Sequence, residues 1–245
     1  MNVDPTVQRR LLDLASIDAE LSRTVHRRRT LAEAAEVERL QTERQARKDA
    51  AVAVEIVLDD LDRDIRKLET EVDNVRKRED RDRGLLAGGT VNAKQMTELQ
   101  HELNTLTRRQ GVLEDELLEV MEQREACAAD HAHAGAQLSQ TAHELVDATR
   151  RRDDAVADLD TADTRCAADR GVLVGEFPTE LLAVYDRQRG KGGAGAALLQ
   201  GRRCGACRIE LDRHEIARIA KAAPEEVLRC DECGAILVRT AESGL

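Results

Sequence analysis

The sequence predicts a mainly α protein: a long antiparallel coiled-coil helical hairpin followed by a small C-terminal β-rich module built around four cysteines. Three observations predict it. Of 245 residues, 35% are charged and 41% hydrophobic, but only 1% are aromatic, namely Phe177 and Tyr185. A compact core of this size draws on aromatics for buried area, whereas a chain rich in Ala, Leu, Glu and Arg and poor in Gly and Pro has the composition of long helices. Apolar residues recur at spacings of three and four over two long stretches. Finally, Cys204 and Cys207 form one Cys-x-x-Cys pair and Cys230 and Cys233 another, with residues 208–229 between them.

Asp4-Pro5 starts the first helix, with Asp as the cap and Pro at the first helical position. Val7, Leu11, Leu14, Leu21 and Val25 follow at helical spacing, with Asp18 out of character. From about residue 28 to 53 the pattern blurs into Ala and charge. It returns in a new phase as Val54, Leu58, Leu61, Ile65, Leu68, Val72 and Val75. Without Gly or Pro in the blurred stretch, the helix is expected to bend or rotate its seam rather than end. Gly84 is the expected cap, Gly84–Thr90 the break, and Gly88-Gly89 its turn. Leu85, Leu86 and Val91 beside these glycines suit either a docking tip or a local staple.

Asn92 and Gln95 have the spacing of a capping box and open the second helix. Its seam runs from Leu99 through Leu113, Cys127, His131, Leu145 and Leu159 to Cys166, and Gly171 is the expected end. At the helical rise the two arms measure roughly 110 and 120 Å. Near-equal arms joined by a short Gly-rich turn favour a monomeric hairpin; pairing between chains is the alternative. Cys127 and Cys166 occupy seam positions where a small apolar side chain fits. Cys127 and His131 share a face, with His133 and His143 nearby, but the seam reading accounts for them.

The boundaries expected are a hairpin over 1–171 (turn about 84–91), a connector over 172–198 and the cysteine module over 199–245. In the connector, Thr179–Arg189 reads as a short amphipathic helix stopped by Gly190. Because both aromatics fall in this segment, it is expected to pack the module onto the base of the hairpin. Gly190–Ala197 is a flexible loop. Ala197–Gln200, Ile209–Leu211, Val227-Leu228 and Ala235–Arg239 are strand candidates, and Asp212 with Glu215 caps a helix reaching about Lys221.

Each Cys-x-x-Cys pair turns tightly enough to offer two sulfurs to one ion, and two pairs complete a tetrahedron. Cys204, Cys207, Cys230 and Cys233 are therefore read as ligands of one structural Zn²⁺, with a rubredoxin-type iron site as the competing reading. Four thiolates leave no open position, so the site is structural rather than catalytic. A module of about 45 residues is too small to fold by burial alone, so the metal supplies much of its stability.

This layout resembles the bacterial coiled-coil, C4-type zinc-ribbon family over essentially the whole chain. The residues that carry the resemblance are Glu98-Leu99-Gln100-His101-Glu102-Leu103, the run Pro178 to Tyr185, the Gly-rich loop, and the flanks of both cysteine pairs through Gly234-Ala235-Ile236-Leu237. The resemblance implies a long helical hairpin carrying a zinc ribbon and a non-enzymatic cytoplasmic role. Members of that family are linked to nucleic-acid binding and to protein-partner or chaperone-like regulation, including flagellar control in some bacteria.

The net charge of −10 is uneven: residues 171–245 hold 11 basic and 11 acidic residues, so the whole excess lies in 1–170. An acidic arm does not wrap nucleic acid non-specifically. The expected nucleic-acid contacts are instead Arg187, Arg189, Lys191, Arg202, Arg203 and Arg208, because Arg pairs well with phosphate. The ribbon has no aromatic residue on which bases would stack. No apolar run approaches the roughly 18 residues of a membrane span. The N-terminus lacks a secretory pattern, and reduced Cys-x-x-Cys pairs favour the cytoplasm. Neither a phosphate-binding Gly loop with its Lys-Ser/Thr nor any catalytic triad is present. The expected protein is a non-enzymatic adaptor with a protein partner and no small-molecule substrate. The ribbon contacts nucleic acid in one reading; in the alternative the chain is purely a protein scaffold or chaperone.

Overall fold

The computed structural model describes residues 1–89 and 91–244. The chain forms two compact units, one of Met1–Glu33 with Arg151–Leu245 and one of Ala34–Arg150. Four α-helices come first: α1 (Pro5–Arg29), α2 (Ala32–Ala87), α3 (Ala93–Val174) and α4 (Thr179–Arg189). The ribbon follows as β1 (Ala196–Gln200), β2 (Arg203–Cys204), α5 (Arg213–Lys221), β3 (Leu228–Arg229) and β4 (Ile236–Val238). No helix among the described residues is long and apolar enough to cross a membrane.

The expected single first helix is in fact two. The Thr30 N–H donates to the carbonyls of His26 and Arg27 at 3.1 and 3.2 Å, and its hydroxyl to His26 at 3.1 Å. His26, Arg27, Arg28 and Arg29 fill the last turn of α1 with cations, which favour a helix C-terminus. Leu31 is then buried between the helices. A β-branched hydroxyl residue closing on two carbonyls ends the helix without Gly or Pro. At its other end α2 passes Gly84 and stops at Ala87, with Gly89 in the left-handed region at φ 65°. Thr90, the end of the expected break, lies outside the described residues.

The Asn92 box forms as expected: the Asn92 N–H donates to Gln95 Oε1 at 3.0 Å and the Gln95 N–H to Asn92 Oδ1 at 2.9 Å. α3 runs through Gly171 to Val174 rather than ending at the glycine. Leu173 is buried in the same cluster as Leu11 and Leu14, and that burial outweighs the roughly 1 kcal/mol a glycine costs inside a helix.

Within the unit Ala34–Arg150, α2 and α3 run antiparallel along one seam, the hairpin pairing within a single chain. Val37 and Leu40 pack on Leu145 and Ala148, and Val72 and Leu113 are also buried. Cross-seam ion pairs join Arg124 to Asp62 at 2.9 Å and Arg76 to Glu114 at 2.6 Å. Such exposed pairs set register more than they add stability. Cys127 lies on the seam, donating its thiol to the Val54 carbonyl at 3.7 Å.

In the other unit both aromatics are buried. Phe177 and Tyr185 join Leu11, Leu14, Leu173, Leu181, Ala196, Ile236 and Val238 in one cluster, so α4 does seat the ribbon on α1 and the end of α3. The sheet order is β2-β1-β4-β3, with β1 and β4 parallel and the two outer pairs antiparallel. Alternation along β4 sends Ile236 and Val238 to this cluster and Leu237 to a second one, with Leu199, Leu211, Ile219 and Leu228. The expected strand at Ile209–Leu211 reduces to a single bridge, Arg203 with Glu210.

Two further features hold this unit together. Met1–Val3 pairs with the ribbon: the Val3 N–H donates to Glu225 at 2.7 Å and the Val227 N–H to Met1 at 3.0 Å. The anomalous Asp18 is a buried hub. Tyr185 Oη donates to its Oδ2 at 2.8 Å, Arg170 Nε to its Oδ1 at 2.8 Å, and Arg189 Nη2 lies 3.2 Å from Oδ1. Burial, and then the Asp18 carboxylate, raise the Tyr185 phenol above its ordinary pKa.

Candidate metal centre

The ribbon's two turns present their sulfurs in matching ways. In the first, the Arg208 N–H donates to the Cys204 carbonyl at 2.8 Å and the Cys204 N–H to Ile209 at 3.1 Å. In the second, the Gly234 N–H donates to the Cys230 carbonyl at 2.9 Å and the Cys230 N–H to Ala235 at 2.9 Å. Arg208 and Gly234 thus hold equivalent places, both left-handed, at φ 62° and 81°. Gly205 is required for a different reason: a Cβ there would meet the Leu198 carbonyl at 2.7 Å.

The four sulfurs all lie within 4.8 Å of one another. Cys204 and Cys233 are 3.8 Å apart and Cys207 and Cys230 are 4.0 Å apart. A tetrahedron with Zn–S bonds of about 2.3 Å has edges of about 3.8 Å, so the spacing fits zinc without movement of the turns. Backbone N–H groups of Ala206 and Cys207 point at the Cys204 sulfur, and those of Glu232 and Cys233 at Cys230. Such donors stabilise thiolates. Without a metal, burial outweighs them and pushes the Cys204 thiol up to about 12, and Cys230 up as well. The more exposed Cys207 is lowered, first by the Ile209 N–H. A dication at the centre supplies the charge that holds all four as thiolates. Cys204 and Cys230 are buried, Cys207 and Cys233 half-buried. With all four positions filled by sulfur, the centre serves the fold rather than a substrate. Among the described residues, this is where three or more metal-donating side chains converge; His131, His133 and Cys127 do not.

The predicted basic residues divide. Arg202 and Arg203 are exposed beside the first turn and, among the described residues, pair only with Glu210, at 3.7 and 4.0 Å. Arg208, Arg187 and Lys191 are exposed and have no ion pair among the described residues. Arg189 is engaged inward with Asp18.

Three residues close to the centre carried no sequence signal of their role. Glu215 Oε1 accepts the Asp231 N–H at 3.3 Å, although its spacing from Asp212 had marked it only as part of a cap. Arg229 Nε donates to the Gly234 carbonyl at 3.0 Å. Gln188, on the buried face of α4 with Leu181 and Tyr185, donates to the Cys233 carbonyl.

Family models place the same two parts. A CT398-like coiled coil hairpin domain matches residues 14–193 and a C4-type zinc ribbon domain matches residues 203–237. An uncharacterized protein of Mycobacterium tuberculosis is 47% identical over 95% of both chains, and one of Mycobacterium leprae 41% identical over 91% of this chain and 96% of its own. A solved structure from Mycobacterium smegmatis is 48% identical with TM-score 0.86, covering 98% of this chain and all of that one. The structure of CT398 from Chlamydia trachomatis shares the fold at 16% identity, with TM-score 0.68 over 96% of this chain and 98% of that one. The ribbon model spans all four cysteines, and the ion is one structural zinc.

Proposed function

Because the chain belongs to the CT398-like coiled-coil hairpin family and ends in a C4-type zinc ribbon, we propose that it is a non-enzymatic cytoplasmic adaptor whose ribbon contacts nucleic-acid phosphates. The hairpin offers a second surface to a protein partner. Four cysteines committed to a metal rather than to disulfides fit a reducing compartment.

The observation that carries this reading is Arg208. It keeps a left-handed backbone, φ 62°, where the matching turn uses a glycine. An L-residue there costs roughly 1 kcal/mol, and strain of that kind persists where the side chain is used. The Arg208 guanidinium is exposed, and Arg202 and Arg203 beside the same turn are held only loosely by Glu210. Guanidinium groups pair bidentately with phosphate. With both aromatics buried in the hydrophobic cluster, the ribbon is suited to the backbone of a nucleic acid rather than to its bases.

The test is Arg208→Gly. Stability should rise by about 1 kcal/mol as the strain is relieved. Affinity for single-stranded RNA or duplex DNA should fall, with the salt slope reduced by about one unit. Wild-type protein that shows no salt-dependent binding rejects the reading, as does a variant that gains stability with its binding intact. A protein-scaffold reading rests on Leu85 and Met96, which are 45% and 42% exposed on either side of the hairpin turn. Partner binding that survives Arg208→Gly but is lost on Leu85→Glu favours it.

A further inference from the structure

The two zinc turns match in backbone but not in what grips them from outside. On the second turn, Gln188 from α4 donates its Nε2–H to the Cys233 carbonyl. Gln188 is only 4% exposed, and its Oε1 is buried with no hydrogen-bond partner. A buried acceptor left unpaired bears its desolvation cost uncompensated, so the side chain is not placed there for its own satisfaction. The orientation of the amide is set by the contact: turning it over would point Oε1 at the Cys233 carbonyl. The turn is shaped to receive it. Gly234 is left-handed, and a Cβ there would come within 2.6 Å of Gln188 Oε1. Gly193, in the loop after α4, packs its Cα face on the other end of the amide, where a Cβ would sit 3.3 Å from Nε2. Arg229 Nε on the Gly234 carbonyl and Glu215 on the Asp231 N–H add two further side-chain anchors to the same turn.

The first turn has no such set. Its backbone bonds run to Leu198 and Ile209, no side chain from outside the turn donates to or accepts from the peptides of residues 204–208 among the described residues, and Arg208 is strained. We infer that Gln188 is a positioning residue for the zinc centre: it locks the Cys230–Cys233 turn to α4, so that zinc is surrendered by opening of the Cys204–Cys207 turn. Groups that orient metal ligands without touching the metal commonly change metal affinity by about 10–100-fold when removed. Gln188 acts through a ligand's own carbonyl, and its loss frees the half of the site that otherwise stays in place.

The experiment follows zinc transfer from the full-length zinc-loaded protein to a chromophoric chelator. Cysteine alkylation at partial transfer is read by mass spectrometry. Wild type should show Cys204 and Cys207 modified before Cys230 and Cys233. Gln188→Ala should release zinc about 10–100-fold faster and lose that order. Gln188→Glu keeps the size but, once ionised, cannot donate to a carbonyl, so at a pH where it is ionised it should behave as Gln188→Ala does, and it carries the test should the alanine variant fail to fold. Leu181→Ala loosens α4 packing without touching the turn and should leave the order of modification unchanged. Wild-type release from Gln188→Glu overturns the inference. So does a Leu181→Ala variant that gains as much speed and loses the order too, because Gln188 would then be only one more packing residue of α4.

Discussion

At the scale of single residues, the polar groups that interrupt the apolar pattern are the ones that fasten the structure. Asp18 sits at a seam position in α1, and its carboxylate takes Tyr185, Arg170 and Arg189 at once. Alanine there would leave the buried Tyr185 phenol without its acceptor and take from Arg170 one of its two carboxylates, Asp186 remaining the other. Breaking a buried charge pair from one side costs about 3–5 kcal/mol; Arg189 is 38% exposed and turns to water, so the low end applies. Asp18→Ala should therefore lose about 3 kcal/mol, and Asp18→Asn less, since it still accepts from Tyr185. The chain has one tyrosine and no tryptophan. Tyrosine emission during urea unfolding thus reports on this hub alone. An unchanged urea midpoint for Asp18→Ala would show that the hub contributes no net stability. Arg208 makes the opposite trade, carrying strain where glycine would relax.

At the scale of elements, helix ends are decided by capping groups more than by apolar periodicity. Asp4 caps α1 by accepting the Thr6 N–H at 2.7 Å. Its carboxyl is held below the ordinary 3.8, first by the Thr6 hydroxyl and then by the Thr6 N–H. A depressed carboxyl favours the fold only while ionised. Its contribution is therefore complete above about 3.8 and fades as the pH falls through the lower folded value. A carboxyl NMR titration should place the Asp4 midpoint below 3.8, and Thr6→Ala should return it towards that value; a normal midpoint in the wild type would remove the cap from the account. The same local chemistry explains which elements were legible in the sequence. α4 over Thr179–Arg189, the Asn92–Gln95 box and the Asp212 cap of α5 depend on neighbours within four residues and were read correctly. The break at Thr30 was missed because a backbone N–H closing on two carbonyls, with the hydroxyl on one of them, leaves no Gly or Pro behind. Gly171 misled because Leu173, two residues on, is buried by α1, far away in sequence. Of the metal centre, the four ligands were legible from spacing alone. Gln188 was not: its spacing from Leu181 and Tyr185 puts it on the buried face of α4, but its partner lies 45 residues further along the chain. The pairing of Met1–Val3 with residues 225–227 was hidden for the same reason.

At the scale of the whole molecule, the two units are stabilised by different means, and zinc removal should separate them. In Ala34–Arg150 the helices hold each other through their own seam, from Val37 and Leu40 on Leu145 and Ala148 to Val72 and Leu113, with no metal involved. The ribbon's inner cluster includes two of the ligands, Cys204 and Cys230, among its buried residues. A module of that size cannot bury enough apolar surface to offset its chain entropy without help. Coordination supplies the difference, so binding free energy there is folding free energy. A strong chelator should therefore abolish amide protection across β1 to β4 and α5 and shift the Tyr185 emission, because Ile236 and Val238 pack in the same cluster as that ring. Helical circular dichroism should fall only slightly, and protection in α2 and α3 between residues 34 and 150 should persist. Acid should reproduce the chelator's effect, since coordination requires thiolates and each proton competes with the ion; lowering the pH therefore weakens zinc binding and raising it restores the ribbon. Protection of β1–β4 that survives chelation would mean burial alone suffices and the four sulfurs are not the clasp. A collapse of the α2–α3 signal along with the ribbon would mean the helical seam leans on the metal as well, and that the units do not fold by separate means.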